Sequence, residues 1–309
     1  LQIQEESRLL QLSNIAYPVD SDDPGEACGD TGLSKCFHIT RKQGKTEYRY
    51  KEGFHPFLDE ELIGEFSAKI ASILRCIRES DGIVFVYTNW IGSGVIPLVL
   101  ALEQNGYQKY DGSTILRCSQ KRPPLSYNGK QLSGSEGIPA KYMVIAGTQE
   151  NLTHNLAEEL KVATSSENND GSRIKVIIGS SVAAEGLDFK CIRSIHVLEP
   201  WHNLNKVEQV IGRGVRNCSH GELSPEERNV TIYLHGIQDD TRETIDLRLY
   251  RYAEKKAKVI GDVETILKQG AIDRHLFKNM NRLTDLEVGP IQVKPAYRKS
   301  KPYTYVPKD

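Results

Sequence analysis

Five short apolar runs constrain this chain more than any other feature: Ile83 to Thr88, Tyr142 to Ala146, Lys175 to Gly179, Ser194 to Leu198 and Val230 to Leu234. Most are continuous rather than alternating, the mark of strands covered on both faces. Helical patterns lie between them. Asp59 to Arg78 places Leu62, Phe66, Ile70, Ile73, Leu74 and Ile77 at helical spacing, with Asp59 as the expected N-cap. Val95 to Asn105 is mostly apolar on one side and should stop at Gly106. Asn151 to Leu160 and Asn205 to Val215 are two further helical candidates. Strands alternating with helices predict an α/β fold, a parallel sheet flanked by helices and joined by right-handed crossovers.

The stretch from Ile177 to Arg216 carries the chemistry. A strand runs into a small-residue loop that ends in Asp188, a second apolar run follows, and then comes a helix bearing Gln209, Arg213 and Arg216. At roughly 100° per residue these three side chains share one helical face. Arginine is seldom buried without a partner, and two guanidinium forks aimed one way suit a phosphate. The competing reading is a solvated stripe paired with Glu199 or Glu208. Trp201 and His202 read as structural, because a lone His without a matched base is weak ground for acid–base work.

Two short matches mislead. Gly44-Lys45-Thr46 imitates the end of a P-loop, but the first glycine of that motif would fall at Ile39, and the flanks read as strands around a Gln-Gly turn. Asp59-Glu60 imitates an acidic metal box, yet no buried strand precedes it. The chain is therefore not expected to bind Mg-ATP tightly or hydrolyse it alone. Asp111 to Lys141 and Thr164 to Arg173 read as polar loops, Tyr17 to Lys51 as a hairpin-bearing arm, and Arg242 to Gly270 as a long amphipathic helix broken near Gly261.

Composition excludes some classes. A net charge of −1 over 309 residues gives no whole-molecule attraction to nucleic acid, so any such binding must use a local face. No apolar run approaches the roughly 20 residues of a membrane span, and no membrane partner is expected. The first residue is Leu1 rather than Met, which suggests a fragment or a processed piece. Six scattered cysteines without a CxxC pair fit a reducing compartment better than a disulfide frame or a metal site.

AEGLDF and QVIGRGVR resemble motifs V and VI of superfamily 2 helicases, and Gln209, Gly212, Arg213 and Arg216 fill every fixed position of Q-x-x-G-R-x-x-R. IVFVYTNWIGSGVIPLVLALEQNGY resembles motif IV and the helix after it. EPWHNLNKVEQ resembles the segment before motif VI in the Swi/Snf-like branch. RGVRNCSHGELSPEERNV and KVIGDVETILKQGAID look like the helicases of nucleocytoplasmic large DNA viruses, a group that includes the poxvirus nucleoside triphosphate phosphohydrolase and the early transcription factor small subunit. LLQLSNIAYP resembles the end of the inter-domain connection there, so the resemblance covers roughly Leu9 to Asp273. Gly214 stands where the family often has Ala, and Arg274 where it commonly has Cys.

The resemblance implies a RecA-like C-terminal domain over residues 55–238, preceded by a connection and hairpin arm over 1–54 and followed by a helical extension and basic tail over 239–309. ATP would sit between this domain and a first RecA-like domain, which would supply the P-loop and most of the Mg2+ ligation. Arg213 and Arg216 would face the γ-phosphate, and Gln209 would orient that face or the nucleotide. Gly186, Asp188 and Gly212 would line the nucleotide side, with Asp188 contacting the ribose or coupling the two sites. Thr88, Asn89, Ser93, Ser180 and Ser181 would touch the phosphates of DNA or RNA. Viral transcription machinery would be a further partner, in the cytoplasm or virion. A non-catalytic module that binds nucleic acid or a transcription partner is the alternative.

Overall fold

The apolar runs lie side by side, as continuous patterning dictates. The computed structural model describes residues 2–42, 45–132, 137–147, 152, 155–181, 188–272, 291–293 and 303–305. The chain opens with helix α1 (Gln2–Asn14), then α2 (Gly29–Cys36) and the hairpin strands β1 (Phe37–Lys42) and β2 (Lys45–Tyr50). Helix α3 (Ala68–Glu79) leads into β3 (Ile83–Tyr87), α4 (Ile96–Gln104), the two-residue β4 (Gln108–Lys109) and β5 (Lys141–Ile145). Then come α5 (Leu156–Ala163), β6 (Val176–Gly179), β7 (Ile192–Val197), α6 (Leu204–Gly214), β8 (Thr231–Leu234) and α7 (Ile245–Gly270).

Strands β3 to β8 form one six-stranded sheet in the order β4-β5-β6-β3-β7-β8. Every neighbouring pair in it is parallel. The α/β expectation holds. Alternation along the strands divides the core between the two faces. Val84, Val86, Tyr142, Val144, Val176 and Ile178 share one cluster with α3, α4 and the arm. Ile83, Phe85, Met143, Ile145, Ile177, Ile195 and Val197 share the other with Val207 and Val210 of α6. The arm belongs to the first cluster through Phe37, Tyr48 and Phe57.

The chain divides into two compact units, Leu1–Tyr250 and Arg251–Asp309. The first holds the sheet, the arm and the first turn of α7. The second holds the rest of α7 and an antiparallel pair, β9 (Ile291–Val293) with β10 (Tyr303–Tyr305).

Three helix expectations need correction. The helix expected from Asp59 begins at Ala68, where the Ser67 hydroxyl accepts from the Ile70 N–H. Residues ahead of it are drawn into turns by tertiary bonds. Asp59 takes a two-point bond from Arg122, and the Glu60 N–H donates to Asn105. The helix expected from Asn151 begins at Leu156, capped by Asn155. No break occurs at Gly261, and α7 runs 26 residues through it. A mid-helix glycine costs about 1 kcal/mol, too little to stop a helix of that length. Gly106 does end α4, at φ +90, and Lys45 and Thr46 lie in β2 rather than in a phosphate loop.

Candidate functional site

The sheet order fixes where a site forms. After β3 the chain moves towards the β4 edge and builds β5 and β6 on its way back. After β6 it crosses to β7 on the other side of β3. Ligand crevices in open parallel sheets lie outside the carboxyl ends of the strands at such a switch point. Three segments meet there: Thr88 and Asn89 after β3, Ser180 and Ser181 after β6, and Glu199 to Trp201 after β7. Their backbones are stitched together, with the Thr88 N–H donating to Gly179, Ser180 to Ile145, and Leu198 to Tyr87.

Glu199 is the hub of this edge. It is 1% exposed. Its carboxylate accepts from Thr88 Oγ1 at 3.0 Å, Asn89 Nδ2 at 3.0 Å and Asn14 Nδ2 at 2.9 Å, and from the Asn89 N–H. Burial pushes its pKa up, against the pull of those bonds and of Lys69. Lys69 is itself buried and pairs with Asp246 at 2.8 Å. It also donates to Ser13 Oγ and Asn14 Oδ1. One polar network thus ties α1, α3 and the first turn of α7 to the ends of β3 and β7. Sequence reading offered Glu199 only as a partner for the arginines. The correction is physical: a carboxylate this deep accepts from the neighbours that fold around it. A Glu ending an apolar strand, and a Lys at the start of an amphipathic helix, were the available signals.

Asn89 is half-buried and tied to its neighbours. Besides Glu199, its Oδ1 accepts from Tyr87 OH at 2.9 Å and Lys206 Nζ at 2.6 Å. Lys206 also lies 3.8 Å from the Trp201 ring centre. Tyr87, Asn89, Trp201 and Lys206 line a small cleft at this edge. Thr88, Ser93 and Ser180 are buried. The Ser93 hydroxyl accepts from the Gly29 N–H at 2.6 Å. Of the five residues expected along a nucleic-acid strand, Ser181 is exposed and Asn89 half-exposed.

The arginine side is built by α6. Val207, Val210 and Gly214 are its buried face. A Cβ at Gly214 would come within 3.0 Å of Ile195, so glycine lets helix and strand approach closely. Gln209 is exposed and Arg213 half-buried. Arg216 does not complete a helical stripe, because α6 ends at Gly214 and Val215 leaves the helix at φ −115, ψ 85. It folds back instead. Its Nε donates to Gly212 O at 3.0 Å, and its Nη1 pairs with Asp188 at 2.6 Å. The turn below it is fastened by Ser219, whose Oγ accepts from the Arg216 N–H at 3.3 Å, and by the Cys191 N–H donating to Ser219 O. The structure therefore brings Asp188 and Arg216 together. A Cβ on Gly212 would meet nothing within 4 Å. Gly186 lies outside the described residues.

Residues 108–218 match the family profile described as helicase conserved C-terminal domain. The chain is 33% identical over 237 residues to a putative ATP-dependent RNA helicase of Acanthamoeba polyphaga mimivirus, covering 74% of this chain and 37% of that protein. It is 31% identical to an early transcription factor large subunit homolog of African swine fever virus, covering 68% of this chain and 18% of that one. A putative helicase of Invertebrate iridescent virus 3 is 29% identical, with 74% of this chain and 23% of that one covered. The chain thus spans well under half the length of these relatives. Among solved structures, the C-terminal part of the Fun30 ATPase domain aligns at a TM-score of 0.35 and 13% identity, over 60% of this chain and 45% of that one.

Proposed function

We propose that this chain, whose residues 108–218 match the helicase conserved C-terminal domain, forms one wall of a composite nucleotide site in a nucleic-acid-dependent NTPase. The opposite wall, with the P-loop and the Mg2+ ligands, comes from a first RecA-like domain. The observation that carries this reading is the exposed Arg216, held at 2.6 Å by Asp188 beside the C-terminal end of α6, with Arg213 and Gln209 on the same helix.

Two guanidiniums and a carboxamide fit the phosphate chain of ATP. Bound Mg2+ would neutralise the β- and γ-oxygens. Arg216 would leave Asp188 for the γ-phosphate as the two walls close, and Arg213 would share the developing charge. Arginine fingers contribute on the order of 10³ to 10⁵ in rate where they have been measured. At the other edge, Asn89 and Ser181 would contact the sugar–phosphate backbone, which positions a strand without reading its sequence. Opening and closing of the cleft would then shift that strand.

The test joins this chain to its first domain and measures ATP turnover with single-stranded DNA, duplex DNA and RNA. Arg216→Ala should lower turnover by at least about 10³ while leaving nucleic-acid affinity within twofold. Near-normal turnover in that variant removes the finger role.

A further inference from the structure

The β1–β2 hairpin has no part in that nucleotide site. Its register pairs Phe37 with Tyr50 and Ile39 with Tyr48 on the inner face, and His38 with Arg49, Thr40 with Glu47, and Lys42 with Lys45 on the outer face. The inner face is anchored. Phe37 packs 4.6 Å from Tyr50 and 5.8 Å from Phe57, ring centre to ring centre, and Tyr48 is 1% exposed. On the outer face His38, Thr40, Lys42, Lys45 and Arg49 are all exposed.

The charge on this face is concentrated at a cost. Lys42 stands directly across from Lys45, and like charges placed opposite one another destabilise a strand pair. The carboxylate on the face, Glu47, accepts from Arg117 at 2.5 Å. That contact adds a fourth cation, because residues 115–117 run alongside β2 through the Tyr48–Ile115 and Arg117–Tyr48 backbone bonds. Lys42, Lys45, Arg49 and Arg117 therefore face outwards against one carboxylate, in a chain whose net charge is −1.

We propose that this face is a binding surface for the sugar–phosphate backbone of a nucleic acid. Its outer positions hold no Phe, Tyr, Trp or aliphatic side chain, and a protein partner usually needs such an anchor at the centre of its contact. Phosphates need what the face has: lysines and arginines that displace condensed counterions. Outward side chains on a strand recur about every 7 Å, so Lys45 and Arg49 stand about 14 Å apart along β2 with Glu47 between them, and Lys42 lies across from Lys45. A two-stranded ribbon is also slim enough for the major groove of a duplex. The mount links it to the first site. Helix α2 has eight residues, about 12 Å of helix, and spans from β1 to Gly29, whose N–H donates to Ser93 beyond β3. The hairpin contacts are sequence-independent, and they do not require Arg213 or Arg216 to act on ATP.

The experiment measures binding of the 309-residue chain to labelled single-stranded and duplex DNA of mixed sequence, across a salt series. The triple variant Lys42→Gln/Lys45→Gln/Arg49→Gln is compared with an equal charge change on exposed cations elsewhere, Lys130→Gln/Lys161→Gln/Lys255→Gln. Circular dichroism and a thermal melt confirm that both variants fold. The hairpin variant should flatten the slope of log affinity against log salt by about 2 to 3, at roughly 0.7 to 0.9 for each phosphate that is no longer neutralised. The control should keep the wild-type slope. Equal slopes in all three proteins overturn the proposal, and so does a wild-type chain that binds no nucleic acid. Competition by polyglutamate matching that by DNA overturns it in favour of an acidic protein partner. An inactive Arg216→Ala enzyme that keeps the hairpin-dependent slope separates this surface from the nucleotide site.

Discussion

Replacing Lys69 by Met should unfold the polar network behind the site more than any surface change. Lys69 is 2% exposed and Asp246 is 0% exposed. The ammonium makes three bonds, to Asp246 Oδ2 at 2.8 Å, Ser13 Oγ at 3.0 Å and Asn14 Oδ1 at 3.1 Å. Burial lowers its pKa, and the Asp246 charge pulls it back up. Methionine fills nearly the same volume, so the cavity cost is small. The loss is electrostatic. Asp246 keeps two donors, Ser13 Oγ at 3.0 Å and the Ile237 N–H at 2.9 Å, but no cation. Stranding one member of a buried pair costs about 3–5 kcal/mol. Removing both members for apolar residues of similar size is near neutral. Lys69→Met/Asp246→Leu should therefore recover most of the loss, with a coupling of about 2 kcal/mol or more of the kind double-mutant cycles resolve. Urea unfolding of the four proteins gives the cycle, with m held constant as the check on two-state behaviour. A loss under 1 kcal/mol for Lys69→Met, or strictly additive effects, would refute the claim that this pair holds α1, α3 and α7 together.

Two further outcomes follow from burial. His196 and His235 lie 3.0 Å apart on β7 and just beyond β8, and burial drives the His235 pKa down to about 3, with Lys69 adding to the fall. His196 is pushed well below its ordinary value. Both must be neutral in the fold, while the unfolded chain takes up protons below about 6.5. Stability is thus present above that value and lost as pH falls towards 3, by about 2 kcal/mol at pH 5 for His235 alone. The difference between wild type and His235→Gln, measured by urea unfolding at pH 7.5, 6 and 5, isolates this contribution, and a constant difference contradicts it. At the glycines, a Cβ on Gly94 would sit 2.1 Å from Thr88 Oγ1, whereas one on Gly212 meets nothing within 4 Å. Gly94→Ala should cost about 1–3 kcal/mol and Gly212→Ala should gain up to about 1 kcal/mol, read as opposite shifts in thermal midpoint.

The strands were the legible part of this fold. Five of the six in the main sheet lie within two residues of their apolar runs; four of these are buried on both faces, which needs unbroken apolar sequence, whereas β8 at the sheet edge is largely exposed. The sixth, Gln108–Lys109, has only two residues and leaves no pattern. Helix α2, with the sequence GDTGLSKC, hid behind its two glycines. The arginine-bearing helix was legible, but its end was not. Its last residue, Gly214, lies where a Cβ would crowd Ile195, a relation between elements that periodicity does not encode. The Glu199 network was least legible. Its bond to Asn14 spans 185 residues of chain, and the Ser13–Asp246 bond spans 233.

Two carboxylates near the site do opposite work, and burial decides which. Glu199 is enclosed and accepts four bonds from three residues, so removing it would strand those donors in a dry site. Asp188 is different. Its side chain is 63% exposed and that of its partner Arg216 is 44% exposed. A solvated pair of this kind contributes about 0–1 kcal/mol. An arginine meant to meet a phosphate needs such a partner, strong enough to hold the guanidinium near its working place and weak enough to release it. Had Glu199 been the partner, breaking the pair would cost about 3–5 kcal/mol, a large part of what a finger returns: 10³ to 10⁵ in rate is about 4–7 kcal/mol. The proposed role of Arg216 is therefore compatible with Asp188 and poorly served by the buried carboxylate.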